Sequence, residues 1–138
     1  KREKKDIFFD YRKSEFDFSK IILYVNFKHE KENKERIIQK IKEYIAERKS
    51  KQPIGYSAGS IFKNPYPYYA GELIEKCGLK WYCLGDCYIS GKHANFIINR
   101  GNGKASDVYK LIKIIKEKVK EKFNIELETE IQLIGDFE

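Results

Sequence analysis

Residues 95–123 read NFIINRGNGKASDVYKLIKIIKEKVKEKF, and two structural periods meet inside them. Asn95–Asn99 is a short apolar run bounded by polar residues, which reads as a strand. Arg100-Gly101-Asn102-Gly103 is a turn, because paired glycines beside asparagine punctuate a chain. Ser106 then offers an N-cap, with Asp107 in the first turn where negative charge suits the helix dipole. Val108, Leu111, Ile112, Ile115 and Val119 recur at helical spacing and form one apolar stripe. The helix predicted from them ends near Phe123, with Asn124 as its stop. Glu128 to Ile134 alternates and reads as a last strand. Together with the elements toward the N-terminus, the order is strand, helix, short helix, several strands, helix and strand, which is α+β.

The same reading extends toward the N-terminus. Leu79 to Ser90 alternates and is aromatic, giving one or two strands with a turn near Gly85-Asp86. Ala70 to Cys77 reads as a short helix stopped by Gly78. The stretch 60–69, SIFKNPYPYY, is a short extended piece closed by Pro65 and Pro67. Glu32 to Arg48 reads as a second long helix, with Ile37, Ile38, Ile41, Tyr44 and Ile45 on one face. Pro53, Gly55 and Gly59 then break the chain. Ile21 to Phe27 is β-branched and aromatic and reads as a buried strand. The stretch 10–20, DYRKSEFDFSK, reads as an irregular loop. The fold class expected is α+β: a mainly antiparallel sheet with two longer helices packed on one side.

The chain has 138 residues, enough for one domain of ordinary size, and 14% of them are aromatic, which supplies bulk for a core. No run approaches the ~20 apolar residues of a membrane span. Ile7–Phe9 is too short for the apolar part of a signal peptide. A net charge of +7 suits an anionic partner. Much of the lysine, however, stands beside glutamate on helical patterns and reads as a solvated face. Cys77, Cys83 and Cys87 lack the paired spacing of structural zinc, so reduced thiols and no metal are expected.

No Gly-x-Gly-x-x-Gly or Walker loop is present. His29 lies in a charged run and His93 beside a strand; both read as solvated or structural. Tyr11 and Arg12 sit among aromatics, Ser60 follows a glycine, and Glu130 interrupts the last strand. By pattern alone each has a plain alternative: a surface cation for Arg12, a turn hydroxyl for Ser60, the solvent face of an edge strand for Glu130. A different class of function also fits the composition. A basic α+β module with ten Tyr and nine Phe could stack single-stranded nucleic acid on an exposed sheet.

Several separated motifs narrow the choice. SAGSIFKNP (57–65), AGELIEKCGLK (70–80), the 90–108 run with SGKHANFIIN and KASDV, and VKEKFNIELETEIQLIG (119–135) occur in order. Together they resemble the C-terminal region of the UDP-N-acetylenolpyruvoylglucosamine reductases, also called UDP-N-acetylmuramate dehydrogenases. DYRKSEF and IILYVNFK resemble the segment preceding that region, and RKSKQP (48–53) resembles the family's Arg-x-x-Lys-Gln-Pro. The resemblance implies a cytoplasmic oxidoreductase of peptidoglycan precursor synthesis, a step of cell wall biogenesis. It would use FAD and NADPH to convert UDP-N-acetylglucosamine enolpyruvate to UDP-N-acetylmuramate. It also implies residues. Ser60 matches the proton donor, Arg12 the catalytic arginine and Glu130 the catalytic glutamate. Tyr11, Arg48, Asn64 and, more loosely, Lys51 match substrate contacts. Lys63 is a candidate helper of Ser60.

The large flavin-binding portion of the family has no counterpart in this sequence. Residues 1–29 are therefore expected to be a remnant of the flavin-binding domain, and 30–138 the substrate-binding C-terminal domain. The chain alone is expected to be inactive, with the missing N-terminal portion as its partner and no partnership with membrane or nucleic acid. Gln132 stands where the family often has a basic residue. Trp81-Tyr82 and Asp86-Cys87 stand in a normally glycine-rich pattern.

Overall fold

The computed structural model describes residues 2–16 and 19–137. Asp17 and Phe18, within the expected loop, lie outside the described residues, as do Lys1 and Glu138 at the ends of the two expected domains. The chain divides into two compact units, residues 1–42 and 43–138.

In the first unit a 3-10 turn at Lys4–Asp6 precedes a two-stranded antiparallel hairpin of β1 (Phe9–Asp10) and β2 (Lys13–Ser14). Phe9 faces Ser14 and Asp10 faces Lys13, which leaves Tyr11 and Arg12 as the turn. Arg12 has φ +56°, the left-handed conformation that closes such a turn. The Asp10 Oδ1 atom accepts the Tyr11 N–H at 2.7 Å. Glu15 accepts the Phe8 N–H at 3.2 Å and pairs with Arg2 at 2.9 Å. The stretch expected to be an irregular loop thus contains a hairpin, hidden because its turn is Tyr-Arg instead of Asn-Gly.

Residues 20–33 form neither helix nor strand. Ile21, Leu23 and Phe27 are 84–85% exposed. The buried strand expected at Ile21–Phe27 is therefore corrected. Its composition favours extended chain, but a strand forms only against a partner, and no described segment pairs with it.

Helix α1 runs over Lys34–Lys51. It begins two residues later than Glu32 because Asn33 is the cap: its Oδ1 accepts the N–H groups of Glu35 at 2.9 Å and Arg36 at 3.2 Å. The apolar stripe of α1 exists, but none of its residues is buried.

The second unit holds α2 (Ala70–Lys76), β3 (Cys83–Leu84), β4 (Cys87–Ile89), β5 (Ile97–Asn99) and α3 (Ala105–Phe123). The three strands form an antiparallel sheet in the order β3-β4-β5. Leu84 faces Cys87 across the Gly85-Asp86 turn, and Ile89 faces Ile97. Cys87 and Ile89 point inward and are fully buried, as strand alternation requires. They meet Leu73 and Ile74 of α2 and Leu111, Ile112, Ile115 and Val119 of α3 in one core. Full burial of each such side chain stabilises the fold by about 1.5–3 kcal/mol. The antiparallel α+β class stands, with α2 and α3 supplying the packed helical layer.

Local signals explain the joints. Gly78, at φ +73°, ends α2, and Asn124, at φ +55°, ends α3. Ser106 is not the cap expected of it. Lys104 occupies that position, and its N–H donates to the Asp107 Oδ2 atom at 3.1 Å. The last expected strand, Glu128–Ile134, shrinks to one bridge between Thr129 and Phe62. Trp81 stands in the normally glycine-rich pattern and has φ +68°. Its ring lies against Gly91, where an added Cβ would fall 2.0 Å from it, and stacks on Tyr88 with a 10° interplanar angle.

Candidate functional site

The run Ser57–Pro65 enters through a shaped turn. Ser57 Oγ accepts the Gly59 N–H at 3.4 Å, and Gly59 takes φ +83°, a conformation that favours glycine. Ser60 then pairs with Phe96, and Phe62 with Thr129. The Ile61 N–H donates to the Asn95 carbonyl at 2.9 Å, and the Glu130 N–H donates to the Ile61 carbonyl at 2.8 Å. Ile61 and Phe62 are each 1% exposed, so this segment is anchored in the core. Ser60, half-buried, is left facing outward from it.

Ser60 opens onto a cleft of about 350 Å³, lined also by Arg48, Gln52, Gly59, Phe96 and Glu130. Arg48 is held there by the residue just past its helix: its Nε donates to Gln52 Oε1 at 3.0 Å, four residues on. A cationic guanidinium, a hydroxyl and a carboxyl group thus share one opening. Such a set can grip an anion and hold a proton donor beside it.

Not every expected residue is here. Ser60, Glu130 and Arg48 converge on the cleft. Lys51 is exposed and pairs with Glu47 at 2.6 Å, and the cleft lining does not include it. Asn64 lies beyond the lining too. Its Oδ1 accepts the Ala70 N–H at 3.0 Å, which ties the run to the start of α2. Lys63 forms an ion pair with Glu128, so its ammonium is directed to that carboxylate and not to the cleft. Tyr11 and Arg12 form the hairpin turn of the first unit, with the guanidinium 5.7 Å from the tyrosine ring centroid.

Sequence reasoning missed Gln52, Phe96 and Asn95. Asn95 carried a signal: it is a polar residue in the apolar run ANFII, and it is 4% exposed. His93 supports this turn. Its Nδ1 accepts the Asn95 N–H at 3.2 Å, and its ring meets Phe96 edge-on at 5.0 Å. Burial lowers the His93 pKa, and Lys80 acts in the same direction, while a backbone hydrogen bond and Glu75 oppose. The neutral ring is the form that can accept at Nδ1. Among the described residues no three His, Cys, Asp or Glu side chains are grouped to hold a metal. The three thiols are free, and burial raises the pKa of Cys77 and Cys87.

Side chains already cap the amide ends of the two long helices, Asp107 at α3 and Asn33 at α1. No described helix is long and apolar enough to cross a membrane.

The fold is that of a small α+β domain, with Ser60, Glu130 and Arg48 on one cleft. Residues 48–134, more than half of the chain, match the family model for the UDP-N-acetylenolpyruvoylglucosamine reductase C-terminal domain. The chain belongs to this family. It is 50% identical over 134 residues to the UDP-N-acetylenolpyruvoylglucosamine reductase of Fervidobacterium nodosum, covering 94% of this chain and 43% of the relative. The reductase of the same name from Caldicellulosiruptor saccharolyticus is 48% identical, with 98% of this chain and 45% of the relative covered. The crystal structure of UDP-N-acetylenolpyruvylglucosamine reductase from Thermus caldophilus superposes with a TM-score of 0.77 at 38% identity, covering 93% of this chain and 46% of that one. The chain thus spans less than half the length of these relatives. None of these comparisons points to nucleic acid.

Proposed function

We propose that this chain is the substrate-binding part of a cytoplasmic reductase acting on UDP-N-acetylglucosamine enolpyruvate in peptidoglycan precursor synthesis. The observation that carries the reading is the convergence of Ser60, Glu130 and Arg48 on one cleft in a domain of this family. In the whole enzyme FAD, reduced by NADPH, supplies the reducing equivalents; the residues that hold it belong to the portion that the relatives have and this chain lacks. We assign residues 1–29 to the flavin-binding domain and 30–138 to the substrate-binding domain. The exposed apolar segment around Ile21–Phe27 accords with that division, since it lacks a pairing partner among the described residues.

The roles are those that the family resemblance implies, and the chemistry of the groups suits them. Reduction of an enolpyruvyl ether at its β-carbon leaves negative charge on the α-carbon and its carboxylate. Ser60 Oγ gives its proton to the α-carbon: the O–H bond breaks, a C–H bond forms, and solvent restores the serine. Glu130 contacts the developing enolate through its carboxyl group. Arg12 stays charged throughout and steadies the carboxylate. Arg48, Tyr11, Asn64 and Lys51 contact the rest of the substrate, its diphosphate included. Of these, Arg48 has direct geometric support, through its anchorage on Gln52 at the cleft.

The test uses the longer protein that carries this segment. It should oxidise NADPH only when the enolpyruvyl substrate is present. Arg48→Ala should raise KM by about 10–100-fold, the loss of one charge-assisted contact. NADPH oxidation that ignores the substrate, or an unchanged KM in Arg48→Ala, contradicts the reading.

A further inference from the structure

The backbone of residues 60–63 changes partners midway. Ser60 pairs with Phe96 on one side, whereas Phe62 pairs with Thr129 on the other. At the changeover the N–H and C=O of Phe62 are turned away from the 128–130 segment, which bonds only to the Ile61 carbonyl and the Lys63 N–H. No backbone group takes their place, yet Phe62 is 1% exposed and water cannot serve. The Asn95 side chain fills the gap. Its Oδ1 accepts the Phe62 N–H at 2.9 Å, and its Nδ2 donates to the Phe62 carbonyl at 2.8 Å. One carboxamide stands in for a strand residue, and only a group with both a donor and an acceptor at that spacing can do so.

This bond fixes register. Ser60 lines the cleft while Ile61 and Phe62 are each 1% exposed, so a slip of one residue along the chain would carry Ser60 into a core position and a large apolar side chain toward the cleft. The bonds of Ile61 and Lys63 hold the segment on either side of Phe62, and the carboxamide adds two more at the changeover itself. We propose that Asn95 is a positioning residue for Ser60: its two-pronged grip on Phe62 keeps the serine hydroxyl aimed into the cleft. The inference rests on the reading of Ser60 as proton donor, and it adds a residue that touches neither substrate nor cofactor.

A double-mutant cycle in the longer reductase tests it. Asn95→Asp keeps the acceptor and loses the donor; Asn95→Ala loses both. Each should lower kcat by about 10–100-fold, as misplacement of a reacting group by an ångström does, with KM changed less than about threefold. In a Ser60→Ala background the same substitutions should lower kcat no further, because no hydroxyl remains to be aimed. Val119→Ala, a core truncation remote from the segment, controls for general loosening and should act equally in both backgrounds. Additive effects of Asn95 and Ser60, or full kcat in Asn95→Ala, overturn the positioning role. If Ser60→Ala itself keeps full kcat, the proton-donor reading fails, and the positioning role falls with it. Hydrogen exchange on the unsubstituted protein supplies an arm that needs no variant to fold. The Phe62 amide should exchange as slowly as the ladder amides of β4, and exchange as fast as Gly59 would overturn the splint.

Discussion

Substitution of Ser60 by alanine in the longer reductase should lower kcat for substrate-dependent NADPH oxidation by about 10²–10⁴-fold, the range for loss of a positioned proton donor. KM should change little. The hydroxyl contributes one neutral contact among several, whereas Arg48 and the rest of the cleft remain in place. The size of the effect follows from the problem at the α-carbon. A proton must reach carbon, and of the residues lining the cleft only Ser60 offers a neutral hydroxyl. Steady-state kinetics over a range of substrate concentrations separates the two constants. A KM-only defect would place Ser60 among the binding groups and remove it from the proton transfer.

The second large effect is on stability. Phe62→Ala should destabilise the 43–138 unit by about 3–5 kcal/mol, as buried aromatic truncations do. Phe62 is 1% exposed and belongs to the core made by α2, α3 and the sheet. Domains of this size hold only about 5–15 kcal/mol in all. At about 4 °C or more per kcal/mol, the melting midpoint should fall by more than about 12 °C. Thermal unfolding followed by circular dichroism measures it. Ile134→Ala, on a side chain that is 84% exposed, should leave the midpoint nearly unchanged. Equal effects of the two substitutions would mean that the 60–63 segment is not part of the core.

What the sequence made legible depends on the range over which each signal acts. Helix α3 was readable because its period, its glycine-rich approach and Asn124 are all local. The Gly85-Asp86 hairpin was readable for the same reason. The strand expected at Ile21–Phe27 and the one expected at Glu128–Ile134 depend on distant partners, about which composition is silent. The cap at Asn33 escaped because the helical pattern was extended over it to Glu32, and the Tyr11-Arg12 turn because it lacks the glycine or asparagine that marks a tight hairpin. At the site, pattern left Ser60, Arg12 and Glu130 with ordinary explanations; only the resemblance singled them out. The structure then brought Ser60 and Glu130 to one cleft through the pairing of 61 with 130, a contact across 69 positions of chain. Gln52 and Asn95 were passed over because their work is to hold other groups, a role that leaves no periodic trace; their only signals were a place in the RKSKQP motif and polarity within an apolar run.

Hydrogen exchange of the longer reductase, with and without UDP-N-acetylglucosamine enolpyruvate, addresses the central claim most directly. The substrate should slow exchange in the peptides spanning 58–60, 96 and 130–131, which line the cleft, and leave the exposed end of α3 near Lys120 unchanged. Slowed exchange confined to other surfaces, with the cleft peptides unaltered at saturating substrate, would contradict the assignment of this cleft as the substrate site.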